Sequence, residues 1–289
     1  MGMTGSMAMA GPPIWLVLLR GCHDVAILSL LGALAFTPCV LARALAPRMA
    51  SPLCRLAGIS GVLALILGGL WFLVEAAQVA DAHGIVATLT AVPAFVVYLP
   101  FAQVLLARLI LITVALALLR RPLTALAPAA VAVAMQPWLG HAAQVGSGLA
   151  ASEVLHLLAA GVWLGGLVPL LLCLRALPVH DAARTYRRFT LPGLTAVLVL
   201  AGTGLTQGLT LSSGAVGLLD TIYGRIALLK IALFAVALVF AARNGLFLTP
   251  RLVRSEPVSR KLSASVGTEA LIGTAIVLVA GWLANVAPG

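Results

Sequence analysis

Residues 152–174 read SEVLHLLAAGVWLGGLVPLLLCL, an apolar stretch long enough to cross a bilayer that opens on a carboxylate, Glu153, and an imidazole, His156. The two lie three residues apart, so on a helix they share a face. Ionisable side chains are expensive inside a membrane helix, and by default they mark a site, a pathway or a binding partner. Trp163, seven residues after His156, falls on the same face, whereas Gly161 and Gly165 form a GxxxG on another. This helix is expected to turn one face to polar chemistry and one to close packing.

The rest of the chain extends that reading. Of 289 residues, 62% are hydrophobic and 9% charged, against about 45–50% and about 25% in soluble domains, and the mean hydropathy is +1.13. The composition predicts an all-α, polytopic membrane bundle, a single domain over residues 1–289, and excludes an ordinary soluble protein. A span needs about 20 apolar residues, and eight fit: 13–36, 56–79, 99–119, 122–139, 153–174, 190–209, 224–243 and 264–286. The apolar run 84–119 is too long for one perpendicular crossing and is broken by Pro93 and Pro100. Its first part, 84–97, is read as an interfacial or re-entrant helix on the outer side.

Lys and Arg beside the spans tend to stay cytoplasmic. The odd-to-even connections carry Arg43, Arg48 and Arg55, then Arg120 and Arg121, then Arg175, Arg184, Arg187 and Arg188, then Arg251, Arg254, Arg260 and Lys261, while the even-to-odd connections carry none before Arg225. Both termini are therefore expected to be periplasmic. The net charge of +10 is mostly this topology signal, so no nucleic acid partner is expected; the partner it implies is the lipid bilayer. The N-terminus, MGMTGSMAMAGPP, lacks the positive start of a secretory signal and is expected to stay attached. Its Met1, Met3, Met7 and Met9 are either soft ligands of the kind that suit Cu(I) or simply an unstructured tail.

Polar groups collect in the outer half. Arg20, Cys22, His23 and Asp24 lie on the first span, Glu75 on the second, Met135, Gln136 and Trp138 at the top of the fourth, and His141, Glu153 and His156 follow. Imidazole and thioether together suit copper, and a nearby carboxylate can fix an imidazole tautomer. The metal-ligating candidates are His156, His141, Met135, His23 and Glu153, with Glu75, Trp163, Glu269 and Cys173 along a pathway or behind the ligands. The structural alternatives are that Arg20 neutralises Asp24 four residues on, that Glu75 pairs with Arg108, and that Lys230 pairs with Glu75 or Asp220. Glu269 would mark the inner exit or hold an Arg. Cys39, Cys54 and Cys173 fall near the cytoplasmic ends, where disulfides are rare, and serve as soft exit ligands or as small hydrophobes.

The string HLLAAGVWLGGL at 156–167, preceded by GHAA at 140–143, resembles the central signature of the CopD/PcoD family of copper resistance membrane proteins. YRRFTLPGLTAVLVLAGTGLTQG at 186–208 and TIYGRIALLKIALFAVALVFAARN at 221–244 resemble that family's C-terminal region, here 183–286. The first half fits more loosely, through its spans and the LGALAF after His23. The resemblance implies copper passage across the bacterial inner membrane in concert with a periplasmic copper-binding protein of the CopC type. His141, His156 and Trp163 match the first motif, and Tyr223, Gly224, Arg225 and Lys230 the second.

No GxxxxGK[ST] loop is present, and the chain is not read as an enzyme. An inside-negative potential supplies about 2.3 kcal/mol per unit charge per 100 mV to an entering cation, so Cu(I) uptake is the favoured direction. Two other classes stand beside this: a b-type haem protein using His23 and His156 as an axial pair, and a copper-binding sensor or assembly factor without transport. The purified protein is expected to show no Soret band in its absorption spectrum; a strong one would replace the transporter with the haem protein.

Overall fold

The computed structural model describes residues 13–140, 145–211, 220–249, 251 and 256–283, with the backbone alone at 256–259. Among them the secondary structure is helical throughout. The helices are α1 Ile14–Cys39, α2 Ala46–Val79, α3 Ile85–Tyr98, α4 Pro100–Ala117, α5 Pro122–Ala134, α6 Ser147–Ala176, α7 Val179–Leu211, α8 Ile222–Arg243 and α9 Glu256–Leu283. All but α3 belong to segments long and apolar enough to cross a membrane, eight in number among the described residues. This is the polytopic helical bundle that the composition predicts.

Several helices overrun the spans read from sequence, because a helix continues past the hydrocarbon where its own hydrogen bonds suffice. α2 has 34 residues, about 51 Å, against a hydrocarbon core of about 30 Å. α7 begins with an amphipathic segment of about two turns in which Ala182, Ala183, Tyr186 and Phe189 are buried while Arg184, Arg187 and Arg188 are exposed. Arg188 donates from Nε to the Val40 carbonyl at 2.7 Å, tying the start of α7 to the chain just beyond α1. The arginine-bearing connections thus gather at one end of the bundle, called here the arginine-rich end.

α3 has 14 residues, about 21 Å of helix, too short to span. Gly84, at φ 93°, turns the chain out of α2 into it, a conformation that favours glycine. Leu99 is extended before Pro100, which separates α3 from α4. Ile85, Val86, Leu89, Val97 and Tyr98 are exposed while Phe95 is buried against Phe72.

α1 is the central pillar and packs on α2, α5, α6 and α9. Its crossing with α6 is backbone on backbone: a Cβ on Gly32 would occupy the space of the Gly165 main chain, and one on Gly165 that of the Leu28 carbonyl oxygen. Gly161 gives room to Leu31 in the same interface, so the GxxxG face of α6 lies on α1. At the other end of α1, Gly21 meets Gly281 of α9, where a Cβ on Gly281 would stand 3.3 Å from the Gly21 Cα. Gly165→Ala is expected to lower thermal stability in detergent by at least the roughly 1–3 kcal/mol of overpacking. Gly202→Ala, which meets nothing within 4 Å, should leave the melting curve nearly unchanged.

Candidate functional site

The ionisable residues of the bundle interior fall into three groups. The first joins α1, α2, α4 and the turn after α5. Asp24 accepts from Arg108 Nη2 at 3.0 Å, and the same guanidinium donates from Nη1 to Gln136 Oε1, whose amide nitrogen lies 3.4 Å from the second Asp24 oxygen. Arg108 is 1% exposed. Burial of this kind is tolerated because each charge meets the other and a polar amide. The expected Glu75–Arg108 pair does not form: Glu75 accepts from Trp71 Nε1 at 2.8 Å, one turn away on α2. Arg20 stacks over the Trp71 ring at 4.7 Å. It also attracts Asp24 and Glu75, and Asp24 accepts from Arg108 and Gln136.

His23, in the same layer, is fully buried. Its Nδ1 bonds to the Ala64 carbonyl oxygen at 2.8 Å and its ring packs on Trp71 and over Gly68. Its Nε2 is buried and, among the described residues, has no hydrogen-bond partner. Met135 ends α5 half-buried, its carbonyl accepting from the Trp138 amide. His141 lies outside the described residues, as do Met1, Met3, Met7 and Met9.

The second group is built on α6, α7 and α8. His156 bonds through Nδ1 to Thr203 Oγ1 at 2.8 Å, and Thr203 in turn donates to the Val199 carbonyl at 2.6 Å. Gly204 lies beside the imidazole. Glu153, one turn earlier on α6, and Lys230 of α8 attract each other electrostatically, and the same ammonium acts on His156. Lys230 feels the Glu153 charge without closing to ion-pair distance, and the pairs expected with Glu75 or Asp220 do not form among the described residues. At the start of α8, Thr221 caps the helix by accepting from Gly224 N at 2.9 Å. Tyr223, buried next to that cap, also feels the Glu153 charge, and Asp24 of the first group does too. The first two groups thus share one electrostatic neighbourhood.

The third group lies nearer the arginine-rich end, where α6, α7, α8 and α9 meet. Glu269 of α9, 3% exposed, accepts from Trp163 Nε1 at 3.2 Å and from Asn244 Nδ2 at 3.1 Å. Trp163 also packs edge-on against Phe234 at 5.8 Å. Glu269 holds no Arg: among the described residues no cationic side chain lies within ion-pair distance of it. Cys173 is fully buried with Leu170 and Leu174, while Cys22, Cys39 and Cys54 are exposed. Among the described residues no three His, Cys, Asp or Glu side chains converge as a metal cage. His23 and His156 are held by different neighbours, so the four-helix ligand set read from sequence is divided between two groups.

Fold and interior together define a polytopic membrane protein that keeps acid, imidazole and ammonium groups between its helices. Two family models match it: residues 8–151 match the N-terminal domain of copper resistance protein D-like proteins, and residues 183–283 match copper resistance protein D. The chain belongs to the copper resistance protein D family. It is similar to the copper transport protein CutJ of Bacillus subtilis (strain 168), 36% identical over 132 residues, covering 44% of this chain and 23% of that protein. It is also similar to the inner membrane protein YebZ of Escherichia coli (strain K12), 32% identical over 108 residues, covering 36% of this chain and 37% of that one. The aligned parts span well under half of either relative's length. No solved structure matches the chain.

Arg108→Met is expected to destabilise the bundle by about 3–5 kcal/mol, because it strands the Asp24 charge in a buried site. Thermal unfolding in detergent measures this. The double variant Asp24→Leu/Arg108→Met should recover most of the loss.

Proposed function

We propose that this protein carries copper, as Cu(I), across the bacterial inner membrane from periplasm to cytoplasm, as part of copper homeostasis and resistance, and is not an enzyme. In this reading the arginine-rich end is cytoplasmic and both termini are periplasmic, as the positive-inside rule gives. A periplasmic copper-binding protein of the CopC type delivers the ion. Membership of a copper resistance family supports the metal, and the CutJ relative, named for copper transport, supports its passage.

The observation that carries the reading is His156 between α6 and α7. Thr203 occupies Nδ1 and so fixes the ring, leaving Nε2 to meet a soft cation. Glu153 only partly offsets the Lys230 ammonium, which still acts on His156. An ion at His156 is thereby held next to a positive neighbour, and binding is weak enough to permit release, as conduction requires. That repulsion grows with ionic charge, which favours Cu(I) over Cu(II). His141 and Met135 follow closely before α6 in the chain and are the further ligands of this reading. The membrane potential supplies the driving force for entry.

Cells producing the protein are expected to hold more copper than cells lacking it at fixed external copper; a fall would reverse the direction. In proteoliposomes, His156→Ala should cut Cu(I) uptake by at least about tenfold, the loss expected when even an outer partner of a metal ligand is removed. Wild-type protein that binds copper yet moves none would make it a sensor or assembly factor instead.

A further inference from the structure

We propose that Glu269, with Asn244 and Trp163, forms a proton-binding site served from the arginine-rich end of the bundle. Three independent features support it. The carboxylate is sequestered with neutral donors only, and an intramembrane acid held in that way has a functional default. Asn244 is itself 0% exposed, and among the described residues its Oδ1 has no hydrogen-bond partner. Buried acceptors are rarely left in that state. Asn244 also opens a π-helical turn, Asn244–Leu248, at the end of α8, a distortion frequent at functional sites.

These features fit one ligand. With Glu269 ionised, its two oxygens accept from the Trp163 indole and the Asn244 amide nitrogen. When one carboxylate oxygen takes a proton, the new O–H needs an acceptor, and rotation of the Asn244 amide presents the vacant Oδ1. Charge at Glu269 changes from −1 to 0, Trp163 keeps its bond, and the Glu269–Asn244 hydrogen bond is kept with its direction reversed. Asn is suited to this because its amide carries both a donor and an acceptor. Soft Cu(I) is a poor fit to an all-oxygen acceptor set.

The proton's path is also polar. Ser265 lies one turn from Glu269 toward the arginine-rich end, buried, and among the described residues its hydroxyl has no partner. From α7, Tyr186 bonds to Thr249, feels the Glu269 charge and is the titratable neighbour on that side. From α6 the group facing Glu269 is Trp163, with Cys173 buried further along. α1 also packs on α9, but its Arg20, His23 and Asp24 lie at the opposite end and its Cys39 is exposed.

The test uses the full chain in lipid nanodiscs, without copper, followed by infrared spectroscopy of the protonated-carboxyl stretch. Trp fluorescence is recorded alongside. Between about pH 5 and 9, where buried acids titrate, the wild type is expected to show a titrating carboxyl band that Glu269→Gln abolishes. Trp163→Phe should remove the matching fluorescence change. Absence of such a band in the wild type, or its persistence in Glu269→Gln, overturns the proposal. So does a tenfold shift of the midpoint when sodium replaces choline, which would make the ligand a metal cation. If Glu269→Gln fails to fold, Asn244→Ala serves instead and should move the midpoint by about one pH unit, the size of one lost charge-assisted hydrogen bond. No movement there also overturns it. Since no copper is involved, this result and the transport result fail separately.

Discussion

The bundle depends on the place where α1 and α6 touch through bare main chain at Gly32 and Gly165. Between apolar helices in lipid there is no hydrophobic gain from association, so close approach and dispersion must hold them together. With two glycines the helices approach until backbone meets backbone. Everything polar is then arranged around that contact. On one side of it α1 carries His23 and Asp24 toward α2 and α4; on the other, α6 turns His156 to α7 and Trp163 to α9. A side chain at either glycine would push the two halves of the polar interior apart.

That interior has two layers with different electrostatics. Toward the arginine-poor end, charges offset one another: Asp24 is paired with Arg108, and Glu153 lies within the electrostatic reach of Lys230. Toward the other end, Glu269 has dipoles for company, an indole and an amide. Matched charges hold helices and set the local field, whereas an acid among neutral donors is free to change its own charge. The basic cleft formed by His180, Arg184, Arg187 and Arg188 belongs to the headgroup level beyond both layers.

Much of this architecture can be read from residues alone. The hydropathy pattern identifies the crossings, Pro93 and Pro100 isolate α3, and the GxxxG of α6 announces its packing face. Helix ends are harder to place, since α2 and α7 run on into the headgroups with no change in backbone chemistry. The choice of partners is harder still. Arg108 has Glu75 and Asp24 at similar depth, and linear spacing does not say which helix rotation brings one of them into line; Trp71, one turn from Glu75, takes it instead. Lys230 is the same case. Asn244 escapes notice altogether because Asn-Gly reads as a helix stop, while in the fold the chain continues through a π turn and points that amide inward. His141, the motif residue that the resemblance ranks with His156, lies outside the described residues.

The contact of Gly21 with Gly281 has a bearing on how the protein is made. α1 meets a helix made much later in the chain, so one flank of α1 stands against lipid until α9 is inserted. Lipid tolerates that exposed flank, which is apolar at Val17 and Leu28. Trp163 and Asn244 wait equally long for the carboxylate that joins them, since Glu269 arrives only with α9. Insertion of α9 therefore closes that flank of α1 and equips the interior with its carboxylate in one step.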